Sequence, residues 1–241
     1  MAAKTVTTET SLLAKIVTYF EKNIFEQHIN ACLKTHSKLK SYSINPIVVK
    51  YLSKVLDDTY SPEGVAKALF YPRVLGTSIN TSFGTRIQTM FVELGIAQGS
   101  LIPGMDIEFV DKKDKRKKWC QLKSGPNTIN SEDVKPLIKK FTDTIRLAKT
   151  NNSKLSNTDF IVGVLYGEAT ELSMHYKLID KTHPVFIGKE FWFRITGFPN
   201  FYDKLVIALH KSISNLDTRE LIKKGCAELA EEIKLSPLFR F

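Results

Sequence analysis

The chain has 241 residues, of which 43% are hydrophobic, which is enough to build a core and excludes wholesale disorder. Its 35 Lys and Arg outnumber 25 Asp and Glu, so the net charge of +10 favours a polyanion such as nucleic acid as the partner. The three cysteines are too widely spaced for a disulfide framework and favour a reducing, intracellular setting. The first ten residues lack the pattern of a secretory signal. The apolar runs are too short to cross a bilayer.

The N-terminal third has apolar residues at helical spacing. This spacing predicts a helix over residues 11–34 and a fourth helix over 81–95. Between them, Asn45-Pro46 and Ser61-Pro62 each begin a further helix, because proline suits the first helical position. The helix that starts at Ser61-Pro62 is expected to end near Tyr71-Pro72.

After residue 104 the apolar period changes from helical to alternating. Residues 105–110 and 119–124 are predicted to be the two strands of a hairpin, with a very polar turn over 111–118. The apolar run 160–166 is typical of a central strand buried on both faces. The remaining segments are predicted to be a helix over 131–149, one or two strands over 185–198, and helices over 201–213 and 217–234. This order predicts a mixed α/β core with a helical N-terminal extension.

The chemistry is concentrated in the predicted hairpin. Side chains alternate between the faces of a strand, so a hairpin can bring Asp106 together with Gln121 and Lys123 at one end of the sheet. A carboxylate, an amide oxygen and an ammonium suit phosphodiester hydrolysis with Mg²⁺, which prefers oxygen ligands. The backbone carbonyl of Leu122 is an additional oxygen for the cation. Glu108 shares the face of Asp106 and is interpreted as a surface position or as a second ligand, the surface position being favoured.

In these residues the sequence resembles the PD-(D/E)XK nuclease superfamily, and within it the type II restriction endonucleases. The resemblance covers residues 83–166 and places the motif on Asp106, Gln121 and Lys123. It implies that these residues are catalytic, with Asp106 and Gln121 at the metal. The family often adds a glutamate from the preceding helix, a role for which Glu93 is placed. The run 121–130 is similar to TdeIII-type restriction enzymes.

Two departures from the family pattern stand out. Met105 replaces the usual proline before Asp106, and Gln121 replaces the usual acidic residue. The second departure removes a negative charge from the metal site, so it affects the number of bound metals and their affinity.

The resemblance implies a restriction-endonuclease-like sheet flanked by helices, with residues 1–80 as a helical region for dimerisation or DNA contacts and 81–241 as the nuclease core with C-terminal helices. It further implies Mg²⁺-dependent, sequence-specific cleavage of double-stranded DNA by a homodimer in the prokaryotic cytoplasm, since a two-fold dimer matches a palindromic site. No nucleotide cofactor is expected, because the chain has neither GxxxxGK[ST] nor GxGxxG.

Two alternatives remain open. One is a repair or junction nuclease with the same core, and the other is a non-catalytic nucleic-acid-binding protein. The basic run 112–118 is interpreted as a solvated hairpin tip rather than a phosphate contact. Phe191-Trp192-Phe193 is interpreted as core within a strand. Candidate DNA contacts lie in two polar clusters: Asn80, Arg86, Ser124, Asn127, Thr128 and Asn130.

Overall fold

The computed structural model describes residues 8–150, 154–214 and 218–239. The described residues form two compact units. The sheet unit comprises those up to Val17 and within Gly84–His210, and the helical unit comprises Thr18–Phe83 and those from Lys211 onward. The last helix of the chain packs among the N-terminal helices of the helical unit. The boundary between two regions near residue 80 stays a prediction.

The N-terminal elements are helices. Their bounds are α1 (Glu9–Tyr19), a π-helix (Phe20–Glu26), α2 (Gln27–His36), α3 (Pro46–Asp57), α4 (Pro62–Pro72), a second π-helix (Arg73–Ser78) and α5 (Ile79–Glu93). Both α1 and α4 continue through a π-helical segment into the next helix without a break. The helices expected from the sequence are confirmed, although a π-helical turn divides the first one. The chain does not leave the helical conformation at the end expected near Tyr71-Pro72, because the second π-helix joins α4 to α5. Both predicted helix starts are capped: Asn45 Oδ1 accepts from the amides of Ile47 and Val48, and Ser61 Oγ accepts from that of Gly64.

The remaining elements begin with three strands, alternate in the middle and end with three helices: β1 (Gln98–Gly99), β2 (Ile107–Val110), β3 (Lys117–Lys123), α6 (Ser131–Thr150), β4 (Phe160–Val164), α7 (Met174–Asp180), β5 (Val185–Ile187), α8 (Gly188–Thr196), α9 (Phe201–Ile213) and α10 (Arg219–Lys234). None of the described helices is long and apolar enough to cross a membrane. The strands expected over 185–198 are wrong beyond Ile187, where α8 begins. Phe191 and Trp192 are nevertheless buried, as expected of core residues.

The sheet has the order β1-β2-β3-β4-β5. The first three strands are antiparallel, with Ile107 opposite Cys120, and the last three are parallel, with Gln121 opposite Val162. All five residues of β4 are buried, so the predicted central strand is confirmed. A mixed sheet flanked by helices confirms the expected fold class.

Helices cover both faces of this sheet. On one face, Phe141 of α6 packs against Phe160, with ring centroids 5.8 Å apart. On the other face, α8 lies so close to β4 that a Cβ at Gly163 would be 2.3 Å from the ring of Phe191. The indole Nε1 of Trp192 donates to the carbonyl of Leu165 at 2.9 Å. Close packing on both faces leaves the strand ends as the place for an open site.

The helical unit has its own core around α4. Val65 and Phe70 of α4 are buried in one cluster with Leu229 and Ile233 of α10. A Cβ at Gly64 would lie 2.3 Å from Ser53 Oγ, so this glycine lets α3 and α4 approach closely. The apolar face of α10 therefore belongs to this helical core and not to the sheet.

The basic turn between β2 and β3 is exposed from Lys112 to Lys117, as expected of a solvated tip, and the expectation is wrong only for Lys118, which is buried. Lys118 is 1% exposed, and its Nζ lies 2.6 Å from Asp114 and 3.7 Å from Asp159. Arg116 also pairs with Asp159, and Lys113 pairs with Glu190 at 3.1 Å. Acidic residues distant in sequence thus neutralise much of the turn.

Candidate active site

Asp106 lies immediately before β2, where the hairpin opens toward the strand ends. Its amide donates to the carbonyl of Cys120 at 2.9 Å, and its carboxylate Oδ2 accepts from the amide of Leu122 at 2.6 Å. Within the described part of the chain, Oδ1 accepts no hydrogen bond. The backbone of β3 therefore holds the carboxylate in place and leaves one oxygen for a ligand.

The environment of Asp106 is partly dry and positively charged. Burial raises the pKa of its carboxyl, while the hydrogen bond from Leu122 and the charges of Lys123 and Lys140 act in the opposite direction. A bound cation would stabilise the ionised form of a carboxylate in this setting, where burial excludes water.

Gln121 contributes the second polar group. It lies on β3 between Cys120 and Leu122, and its Oε1 is buried with no hydrogen-bond partner among the described residues. A buried oxygen almost always accepts a hydrogen bond, so a buried oxygen without a partner indicates a position where a ligand can bind. An amide oxygen is a good ligand for a hard cation such as Mg²⁺.

Lys123 and Lys140 line one small cleft together with Gln121. The cleft has a volume of about 130 Å³ and also borders Asp133 and the first turns of α6. Neither lysine forms an ion pair within the residues that the structure describes. The cleft thus presents two ammonium groups beside the Asp106 carboxylate, which suits a bound phosphate.

Sequence reasoning missed Lys140. A Cβ at Gly104 would lie 2.0 Å from Lys140 Nζ, so the glycine makes room for this side chain close to Asp106. The available signal was its position on the predicted helix, three residues after the buried Leu137 and beside Phe141, at the edge of the apolar stripe.

The contact from α5 to the site is made by Gln88, which the sequence analysis also missed. Its Nε2 donates to the backbone carbonyl of Asp106 at 3.1 Å. Glu93, the residue expected from this helix, is exposed at the end of α5, and five residues place it about 140° around the helix from Gln88. A role for Glu93 in the site stays a prediction.

Glu108 is buried and bound by two neighbouring side chains. It accepts a hydrogen bond from Ser100 Oγ at 2.7 Å and pairs with Lys117 at 2.5 Å. The favoured interpretation as a surface position is therefore wrong, and the carboxylate is already engaged by these partners.

The candidate DNA contacts have varied environments. Asn130 Oδ1 accepts from the amide of Asp133 at 3.0 Å, so it caps α6. Thr128 Oγ1 donates to the carbonyl of Gly125 at 2.9 Å. Asn127 is exposed in the same loop, Ser124 and Arg86 are half-buried, and Asn80 belongs to the helical unit. These DNA contacts stay predictions.

The oxygen atoms around Asp106 are of the kind that a divalent cation such as Mg²⁺ binds. No group of three or more His, Cys, Asp or Glu is gathered for metal binding in the described ranges, so a ligand set has to include amide or carbonyl oxygens. Cys120 O accepts from Asp106 and Lys123 O accepts from Leu165, on opposite sides of β3. Since successive carbonyls alternate in direction, Leu122 O points to the side of Asp106.

A comparison with known families covers most of the chain. The family model described as "Type II restriction endonuclease EcoO109I" matches residues 14–217, from α1 to beyond α9. No curated protein matches the chain. The matched range includes the hairpin, the cleft and the helix that carries Lys140.

Proposed function

Because the chain belongs to the type II restriction endonuclease EcoO109I family, we propose that it cuts both strands of DNA at a specific sequence in a Mg²⁺-dependent reaction. The orphan Oε1 of Gln121, next to the residue whose amide holds the Asp106 carboxylate, carries this proposal. The net charge of +10 favours the DNA substrate. The closer likeness to TdeIII-type enzymes remains a prediction.

Each polar group in the site has a distinct role. Asp106 and Gln121, with the carbonyl of Leu122, hold Mg²⁺. When bound, this cation acts as a Lewis acid that lowers the pKa of a water and offsets negative charge on the phosphate. Lys123 orients the attacking water and stabilises the charge that develops in the transition state. Lys140, on α6, holds the phosphate from the other wall of the cleft.

Substitution of Gln121 by Glu tests the metal-site role of this residue. We expect Gln121→Glu to lower the Mg²⁺ concentration for half-maximal cleavage by on the order of tenfold or to change the preference between Mg²⁺ and Mn²⁺, since it adds a negative charge at the cation. Titrations of cleavage against each metal measure this effect. Gln27→Glu makes the same change at an exposed helical position and is the control. Identical metal profiles for wild type and Gln121→Glu would remove Gln121 from the site.

The protein is proposed to act as a homodimer in the prokaryotic cytoplasm. A two-fold axis relates two identical sites, and such a dimer matches the symmetry of a palindromic sequence. Base-reading residues belong on loops and helix starts beside the cleft, which favours Asn127 and Ser124 among the exposed or half-buried candidates.

A plasmid digest with and without Mg²⁺ tests the function directly. We expect discrete fragments in the presence of Mg²⁺ and intact plasmid with chelator. Smearing or structure-dependent nicking would favour the repair or junction nuclease, and binding without any cleavage would favour the non-catalytic protein. Either of these outcomes contradicts site-specific restriction.

A further inference from the structure

One helix of the described chain turns large apolar side chains outward. On α3, six apolar residues are exposed, from 37% for Leu52 to 82% for Ile47. At 100° per residue they occupy about half of the helix circumference. They form two parallel rows at i, i+4 spacing and are called here the α3 face: Ile47, Val48, Tyr51, Leu52, Val55 and Leu56.

The buried side of α3 is the smaller one. It packs on α4 through Val49 and Ser53, which are 3% and 0% exposed, with Gly64 permitting the close approach. A helix in a monomeric protein normally directs its apolar stripe toward the core. On α3 the larger stripe faces away from the core, so its side chains need a partner outside the unit.

The area of the α3 face matches what a dimer requires. With about 150–220 Å² of surface for each fully exposed side chain of these types, the six exposed fractions leave roughly 600 Å² on each copy, which is large for a monomer. Two such faces would bury roughly 1,200 Å² in total, which reaches the size of a specific interface.

The chemistry of the α3 face indicates which kind of partner it fits. Its six residues carry no charge, so a polyanion such as DNA finds no matching surface on it. The lysines of α3, Lys50 and Lys54, lie together on one flank outside the face. A second copy of the same face supplies an apolar surface of equal size and shape.

We propose that the α3 face is a two-fold interface at which α3 packs antiparallel against α3 of a second copy. In an isologous pair the axis passes through the middle of the shared face, which lies at Tyr51 and Leu52. The inference deepens the proposed homodimer by naming its surface, and it is tested by association rather than by cleavage.

The first test places charges on the face. We expect wild type to sediment as a dimer at micromolar concentration and Tyr51→Glu/Val55→Glu to sediment as a monomer, with the dissociation constant raised at least about a hundredfold, because the pair puts four uncompensated carboxylates into the interface. Both side chains are exposed, at 69% and 62%, so the fold and its circular dichroism should be unchanged. Ile207→Glu, at a 69% exposed position of α9, is the control and should remain dimeric.

The second test uses a cross-link across the axis. Cys32, Cys120 and Cys226 are buried, so Leu52→Cys introduces an accessible thiol close to its symmetry mate. We expect mild oxidation to yield a covalent dimer that a reductant separates, and Ile207→Cys to yield little.

The outcomes separate this proposal from the proposed function. A monomeric wild type, a dimer that survives Tyr51→Glu/Val55→Glu, or equal cross-linking of Leu52→Cys and Ile207→Cys would overturn the α3 interface. A wild type that dimerises through α3 but does not cut plasmid would leave the interface intact and reject the nuclease function.

Discussion

Asp106→Asn is expected to lower the rate of DNA cleavage by at least about a thousandfold, or about 4 kcal/mol in transition-state stabilisation. Asp106 is the one carboxylate of the proposed metal set, and its replacement by an amide removes the negative charge that holds the cation. The change is nearly isosteric, and an amide oxygen can still accept from the Leu122 amide. Specific DNA binding should therefore persist, and without metal it should be equal or tighter because the carboxylate no longer repels the phosphate.

Single-turnover cleavage and binding in chelator separate these two effects. Asp143→Asn, at an exposed carboxylate of α6, makes the same change outside the site and should cleave like wild type. Cleavage by Asp106→Asn at a rate near wild type would reject the assignment of the site.

The stability of metal-free Asp106→Asn tells a functional residue from a structural one. Burial raises the pKa of Asp106 in the folded state above its unfolded value. A raised carboxyl pKa means that ionisation destabilises the fold above that pKa, and that this cost disappears below the unfolded pKa. At pH 8 the melting temperature of Asp106→Asn should therefore be equal to or above that of wild type, whereas a large decrease would indicate a structural role.

Asp159→Ala is expected to lower the free energy of unfolding by about 3–5 kcal/mol. Asp159 is 1% exposed and accepts from Arg116 Nε at 2.6 Å and from the amide and hydroxyl of Ser156. It also faces the ammonium of Lys118, which is equally buried. Removing the carboxylate leaves that ammonium with less compensation and opens the end of the β2–β3 turn. Chemical denaturation at pH 7 measures the loss.

The pH dependence of this effect follows from the pKa of Asp159. Burial alone would raise it, but the hydrogen bonds from Arg116 and Ser156 hold the pKa below its ordinary value. A lowered folded pKa contributes stability that is present above the unfolded value of about 4 and is lost as the pH falls through the folded value. The difference between wild type and Asp159→Ala should therefore shrink in acid.

Asp143→Ala provides the matched control, because its ion pair with Lys139 is on the surface. Exposed pairs contribute about 0–1 kcal/mol, so this variant should be close to wild type at every pH. Equal effects of the two substitutions would contradict the structural role given to the buried cluster.

Local rules account for the features that were predicted correctly. Asn45 and Ser61 begin helices because their side chains accept amide hydrogen bonds that the first turn leaves free, and this depends on neighbouring residues alone. The alternation along β2 and β3 determines which side chains share a face, so the grouping of Asp106 with Gln121 and Lys123 was visible from the hairpin pattern.

The segment 188–198, predicted as strand, shows what local rules cannot decide. Its dense apolar and aromatic residues are compatible with a strand, but the buried positions of α8 follow helical spacing: Phe191, Trp192, Ile195 and Thr196. Short apolar runs do not distinguish the periodicity of a helix from that of a strand. The packing of Phe191 against Gly163 exists only in the folded sheet unit.

By itself the sequence determined the type and approximate bounds of most helices and strands, and the residues of the candidate site that lie on one hairpin. Tertiary structure alone decided which faces are buried and which distant groups meet. The buried ammonium of Lys118 is compensated by Asp159, which is distant in sequence, as well as by Asp114, and Lys140 reaches the cleft because Gly104 leaves space for it. The amphipathic pattern of α3 likewise predicts a helix, but not that its larger apolar stripe is left outside the core. Such outcomes depend on contacts between segments far apart in sequence, for which local periodicity carries no information.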